Sequence, residues 1–395
     1  MRGLTFIAII FIFIACGQVS ENPFWHGGEE QLDIQRVFEG ERFPTVVVAT
    51  DGSVVATWGS NTYQVRRSED GGETWGEVIG VTDISGRYDY HGGGVTVDEN
   101  RGTIFAFIDR TLFLEDGDPE KLSGPGGRSG TTFVFKSTDH GKTWSEFPVV
   151  IHPDKHGNMP AMHMNERGIT LQRGPHAGRL IRPARFFKDY LDQSTWGEDY
   201  TNAIYSDDGG ETWYTSDPFP ALGTGEATLE ELSDGRIYYN SRRHVSTDGL
   251  NPRMRYIAWS YDGGHTWTDL SVSEELPDGP QGHDYGLMGG LVRLPVDGYD
   301  ILLFSNVDSP GDRWDRRRGM VWASFDGGLT WPVSRLVDEG GFAYSSMTAG
   351  RKGTPSEGWI YLMYEKIENG QYVGANVARF NLDWVTQGRD WKVFY

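Results

Sequence analysis

One eight-residue motif, Ser-x-Asp-x-Gly-x-Thr-Trp, constrains the fold more than any other feature of the chain because it occurs five times. The copies are SEDGGETW (Ser68 to Trp75), STDHGKTW (Ser137 to Trp144), SDDGGETW (Ser206 to Trp213), SYDGGHTW (Ser260 to Trp267) and SFDGGLTW (Ser324 to Trp331). Their starts lie 69, 69, 54 and 64 residues apart. Asp folds back on its own backbone, Gly supplies a positive φ and Ser or Thr satisfies a nearby amide, so each copy reads as a hairpin turn. The tryptophan then buries its ring beneath that turn. Extended stretches of β-rich composition precede most copies, and no long amphipathic helix interrupts them.

Spacing of this kind leaves room for one four-stranded sheet per motif, and radial repetition of such sheets gives a β-propeller. Five marked units over residues 40–395 predict an all-β, six-bladed β-propeller with one unmarked blade. Pairing of the last strand, near Val373 to Asn381, with strands from the beginning would close the ring. The motif aspartates, Asp70 and Asp208 among them, are then turn residues and not acids. Function has to come from other segments.

Composition narrows the possible partners. Thirty-six Lys and Arg stand against 56 Asp and Glu, a net charge of −20, which repels a nucleic acid or an anionic membrane surface. An anionic ligand must therefore meet a local cluster of arginines. The apolar run from Leu4 to Ala15 is too short to cross a bilayer as a helix of about 18 Å, and reads as the core of a signal peptide. It ends at Cys16, the only cysteine, so no internal disulfide forms. Phe13-Ile14-Ala15-Cys16 resembles a bacterial lipobox, which implies lipidation of Cys16 as the first mature residue, export across the inner membrane and anchoring to the outer membrane. The expected organisation is a signal peptide at 1–15, a linker at 16–38 and a catalytic domain at 39–395. The mature chain is expected to be a monomer whose only membrane contact is that anchor.

The repeated box resembles the Asp-box of propeller blades, and the segments between the boxes resemble bacterial exo-sialidases over nearly the whole mature chain. Glu41-Arg42-Phe43-Pro44 is similar to the family's Arg-Ile-Pro opening, which implies Arg42 as the first of three arginines gripping a substrate carboxylate. GTGEATLEELSDGRIYYNSRR resembles the segment carrying the glutamate that activates the nucleophile and the second arginine. These fall on Glu226 and Arg242, with Arg243 as the alternative register and Gly225 where the family has Asn. Arg316 stands eight residues before the last box, the place of the third arginine, with Arg317 beside it. The AYS segment Ala343-Tyr344-Ser345 resembles the one bearing the nucleophilic tyrosine, and Tyr364-Glu365 the one whose Glu orients the first arginine.

The residue types are chemically coherent. A guanidinium is planar, permanently charged and bidentate toward a carboxylate, so three together define an anion site even in an acidic protein. A tyrosine, with a pKa of about 10, needs a carboxylate in contact to take its proton. The resemblance thus implies a secreted retaining exo-glycosidase that removes a terminal α-linked sialic acid or related carboxylate sugar from a glycan. Two alternatives stay open: a non-catalytic glycan-binding propeller, and a hydrolase or lyase acting on uronic-acid polysaccharides through the same arginines.

One family element is missing. The loop expected to carry the general acid, Trp58 to Arg67, contains no Asp or Glu. The segment VTDISGRYDYHGGG offers Asp83, Asp89 and His91 instead, with Asp89 and His91 the better candidates, and Gly92 to Gly94 reads as turn glycine. His152, His156, His163 and His176 select no common face, and Arg182 and Arg185 are expected at the cleft rim. No His/Asp/Glu cluster has metal-ligand spacing and no Gly-rich loop precedes a helix, so neither a metal nor a nucleotide cofactor is implied.

Overall fold

The computed structural model describes residues 22–60, 62–83, 88–112, 131–162, 166–189, 192–245, 253–281, 286–311 and 315–395, without the side chains of 83, 88–91, 110–112 and 131. Cys16, the leader and His163 lie outside the described residues, as do the side chains of Asp83, Asp89 and His91.

The fold is all-β. Four sheets of four or five strands and one of seven account for the described strands. Most strands adjacent in the chain pair antiparallel, for example Ala227–Glu231 with Ile237–Ser241, then Met254–Ser260, then Thr268–Pro277, whereas Val150–His152 lies parallel to Thr212–Thr215. The seven-stranded sheet arises because strand Val333–Ala349 runs through two pairings. Its first part, Val333 to Asp338, lies against Arg317–Ser324, and its second part, Ser345 to Ala349, lies against Ile360–Glu368. Helix is confined to Leu382–Thr386 and three short 3-10 turns among the described residues. None of these is long and apolar enough to cross a membrane.

The repeated boxes fold as their residue types demand. In the third, Ser206 Oγ accepts from Gly210 N at 2.9 Å and donates to Asp208 Oδ1 at 2.8 Å, and that oxygen also accepts from Glu211 N and Thr212 N. Gly209 and Gly210 have φ of 83° and 92°, a region L side chains avoid, and a Cβ on Gly210 would run into the ring of Phe105. Trp213 is fully buried edge-on against Phe107, with its indole N–H on Gly210 O.

Phe105 and Phe107 belong to the preceding sheet, so the box docks one sheet onto the one before it. The same holds around the molecule: the second box glycine meets Val55 in the second box, Ile181 in the fourth and Tyr238 in the fifth. In the first box Gly72 meets Tyr361, from strand Ile360–Glu368 near the end of the chain. The sheets therefore follow one another in a closed order.

Closure is covalently remote. Strand Leu32–Glu39 pairs antiparallel with the last strand, Gln371–Phe380, from Leu32 opposite Phe380 to Glu39 opposite Gly374. The expected pairing of the last strand with the beginning of the chain is present, and it corrects the boundary drawn at residue 39. Residues 32–38 are a sheet strand with alternating exposure, and Phe24 before them is buried in the largest apolar cluster.

Two further expectations are corrected. Gly92 to Gly94 lie inside strand Tyr88–Val97, at an irregularity between Gly92 and Val95 where it pairs with Ile104–Leu112. Glycine is needed there because a Cβ on Gly93 would strike the carbonyl oxygens of Met162 and Phe107. Arg182 and Arg185 are not rim residues: both are buried, and Arg182 donates to the carbonyl of Gly93.

Candidate active site

Three strands each bring one chemical group to a common site. Arg42 precedes Thr45–Val48, Glu226 precedes Ala227–Glu231, and Tyr344 lies where Val333–Ala349 passes into its second pairing. The Tyr344 hydroxyl donates to Glu226 Oε1 at 2.8 Å. Arg242 reaches both groups, its Nη1 lying 3.2 Å from the Tyr344 oxygen and in contact with Glu226 Oε2. The guanidiniums of Arg42 and Arg316 stand 5.0 and 5.4 Å from the centre of the Tyr344 ring. Three arginines thus surround one tyrosine, although they come from positions 42, 242 and 316.

Glu365 fixes the first of them. Fully buried, it receives Arg42 Nε and Nη2 at 3.0 Å each, and also the backbone amides of Phe43 at 3.1 Å and Tyr344 at 3.2 Å. One carboxylate therefore sets the arginine and the backbone of the tyrosine together, a bidentate geometry that Lys could not reproduce.

The protonation states follow from the surroundings. Burial alone would raise the Glu226 carboxyl, but the guanidiniums of Arg242 and Arg185 override it and hold Glu226 well below the usual carboxylate range. Burial raises the Tyr344 phenol and the Glu226 charge raises it further, opposed by Arg242, Arg316 and Arg42. The resting site is a neutral phenol hydrogen-bonded to an ionised carboxylate, with fixed positive charge around both. A phenol, a carboxylate in contact with it and a cluster of guanidiniums stand in one place.

The alternative registers separate clearly. Arg243 lies over the ring of Tyr256, with its backbone amide on Asp278, and Arg317 is exposed and paired with Asp315. Strand Tyr88–Val97 carries Asp89 and His91 toward this region, since Gly92 packs against Phe43 and Tyr63, but the two side chains are outside the described residues. The loop without an acid is tied down by Glu41, which accepts from Ser60 N and Thr62 Oγ1. Among the described residues no group of His, Cys, Asp and Glu is arranged to hold a metal.

Three residues of the site carry no motif. Tyr372 accepts from Arg316 Nη1 at 2.7 Å while its ring lies 4.3 Å under the Arg42 guanidinium, joining two of the arginines. Arg185 sits 3.8 Å from Glu226 Oε1, and Asp199 lies 3.8 Å behind it. Tyr372 and Arg185 act across a junction between sheets, where sequence spacing gives no sign of the contact, and Asp199 backs Arg185 from the residue before the neighbouring strand of its own sheet.

Comparison with known proteins places the family and the fold. A family model described as a BNR repeat-like domain matches residues 64–355, and the chain belongs to that family. It is a member of the bacterial sialidase superfamily that carries Asp-box repeats. The sialidase of Micromonospora viridifaciens is 32% identical over 377 residues, covering 88% of this chain and 52% of that protein. The sialidase of Bacteroides fragilis is 27% identical over 322 residues, covering 76% and 53%. The chain spans about half the length of these curated relatives. Among solved structures, the Hadza microbial sialidase Hz136 superposes with a TM-score of 0.65 at 27% identity over 87% of this chain and 66% of the other. The fold is that of the sialidases, which are β-propellers.

Proposed function

We infer that the protein is a retaining exo-sialidase that releases a terminal α-linked sialic acid or related carboxylate sugar. The observation that carries this reading is the 2.8 Å hydrogen bond from the Tyr344 hydroxyl to the Glu226 carboxylate inside a ring of three arginines.

In the proposed reaction Arg42, Arg242 and Arg316 hold the substrate carboxylate. The Tyr344 oxygen bonds to the anomeric carbon as its proton passes to Glu226, and the bond to the leaving oxygen breaks as that oxygen takes a proton from an acid. Water, activated by the conjugate base of that acid, then displaces the tyrosine, which recovers its proton from Glu226. A neutral nucleophile suits an anomeric carbon that bears its own carboxylate, and tyrosine sialidases are an exception to the two-carboxylate scheme for that class of enzyme. Asp89 or His91 supplies the acid in this reading, supported by the course of strand Tyr88–Val97 toward Phe43. The blade count of six is supported by dividing the seven-stranded sheet within Val333–Ala349, which leaves two four-stranded units. Export and anchoring through Cys16 rest on the apolar run from Leu4 to Ala15.

The acid-free loop at Trp58 to Arg67 favours a second reading, a glycan-binding propeller without turnover. A fluorogenic sialoside separates the two. Turnover by the wild type that disappears in Tyr344→Phe supports the enzyme, whereas binding without turnover by the wild type supports the lectin.

A further inference from the structure

The end of the molecule away from the site is hollow, and the first described residues of the chain are fastened there. A cavity of about 1100 Å³ opens at that end, with Val48, Glu231 and Ala349 in its wall. These are the last residues of the three strands that bring Arg42, Glu226 and Tyr344 to the site. Glu226 and Glu231, like Tyr344 and Ala349, are five positions apart, which is about 16 Å at the rise of a β-strand. Cavity and site therefore occupy opposite ends of the same strands.

Asn22, Pro23 and Phe24 line this cavity too. Their place is fixed: Asn22 Oδ1 accepts from Phe24 N at 3.0 Å, the Phe24 carbonyl accepts from Leu382 N at 2.7 Å, and His26 N donates to Asp383 Oδ2 at 2.6 Å. Phe24 is also buried in the largest apolar cluster, so the chain enters the body at the cavity end. Cys16 stands six positions before Asn22. Six residues reach at most about 20–22 Å, whatever their conformation. A domain of this length is roughly 50 Å across, so the tether spans less than half the body. Turning the site toward the lipid would lift Asn22 beyond that reach.

Resting on the sialidase reading and on anchoring through Cys16, we propose that the protein stands on its membrane with the cavity end inward and the catalytic site outward. Its substrates are then sialylated glycans in solution or on another surface, and the sialosides borne by lipids of its own membrane are out of reach. A tether by itself has the opposite effect, because it raises the effective concentration of the enzyme over neighbouring lipids.

The test uses the mature lipidated chain in phospholipid vesicles. With Cys16, the only cysteine, carrying the lipid, a cysteine introduced by Lys352→Cys beside the cavity or by Glu368→Cys, three residues beyond Glu365 at the site end, takes up a fluorophore alone. Both side chains are exposed. With a quencher on the lipid headgroups, the label at 352 should be quenched at least about threefold more than the label at 368, given a tether of ~20 Å under a body of ~50 Å. Inserting 40 Gly and Ser residues between Glu21 and Asn22 adds a flexible span of about 30–40 Å, and should bring the two labels to similar quenching. Hydrolysis of a sialylated glycolipid in the same vesicle should rise at least about tenfold with that insertion, while turnover of a soluble aryl sialoside stays unchanged. Equal quenching at the two positions of the uninserted chain, or stronger quenching at 368, overturns the orientation. Equal glycolipid hydrolysis with and without the insertion overturns the restriction on substrate. A chain that, like Cys16→Ser, acquires no acyl group overturns the anchor. Absence of aryl sialoside turnover overturns the sialidase reading, and the quenching ratio still decides the orientation.

Discussion

Glu365→Gln is the perturbation that asks most of the site. The carboxylate accepts four hydrogen bonds, Oε1 taking Arg42 Nε and Phe43 N, and Oε2 taking Arg42 Nη2 and Tyr344 N. A glutamine keeps one oxygen and turns an NH2 toward the other two donors, so one bond to a guanidinium and one to a backbone amide are lost. It also leaves Arg42 without its countercharge beside a fully buried side chain. The Arg42 side chain is 30% exposed, so water offsets part of the loss and the cost falls below the ~3–5 kcal/mol of a wholly buried pair. The fold has many other contacts, so the variant should still fold with a lowered Tm. With Arg42 no longer held for bidentate contact, KM for an aryl sialoside should rise about 10- to 100-fold, the equivalent of one hydrogen bond to a charged group. Because the Tyr344 amide also loses its partner, kcat should fall as well. The assays are thermal unfolding and steady-state hydrolysis of wild type and variant side by side. Unchanged KM and Tm would refute the claim that one carboxylate sets both the arginine and the tyrosine.

Other expectations follow from the same structure. Tyr344→Phe should lower kcat at least a thousandfold while keeping the affinity for a sugar carboxylate within about tenfold, measured by calorimetry. Because Glu226 is held well below the usual carboxylate range, its protonation should not limit kcat/KM between pH 5 and 7; an acidic limb in that window that moves in Glu226 variants would contradict this. Asp70 and Asp139 are each brought down to about 2 despite burial, chiefly by their Thr and Ser partners, and Asp208, Asp262 and Asp326 are lowered likewise. A depressed carboxyl stabilises the fold above its unfolded pKa near 3.8, so this contribution should persist at pH 5 and be lost as pH falls from about 4 to 2, read as acid unfolding. Trp213→Ala, which empties a fully buried site between two sheets, should cost about 3–5 kcal/mol in denaturant unfolding.

The scaffold was legible because its signal is local. Each box closes its own turn within eight residues, so five copies announce five hairpins without knowledge of what surrounds them. Arg42, Glu226, Arg242, Arg316, Tyr344 and Glu365 were found through the family resemblance, since nothing within each segment shows that the six converge. Residues 32–38 read as a linker because their partner strand lies more than 330 residues away, although Leu32 and Ile34 alternate with Asp33 and Gln35. Gly92 to Gly94 suggest a turn because three glycines in a row are usually read for their φ freedom; Gly94 does use it, at φ 84°, but inside a strand, and Gly93 is required for its missing Cβ opposite Met162 and Phe107. Asp199 and Tyr372 carry no signal of their own, and Arg185, expected at the rim, is buried, with a contact to Glu226 that exists only across the junction to the next sheet.

The pairing of Leu32–Glu39 with Gln371–Phe380 bears on how the protein is made. Arg42 and its partner Glu365 are 323 positions apart, and the last strand that locks the ring ends at Phe380. At ribosomal rates of about 5–20 residues per second, the first arginine waits roughly 15–65 s for the carboxylate that orients it. During that interval the early sheets have an unpaired flank and the site lacks Tyr344 as well as Glu365. Activity should therefore arise only once strand Gln371–Phe380 has been made, and a chain stopped before that strand should be catalytically silent, however many boxes it has folded.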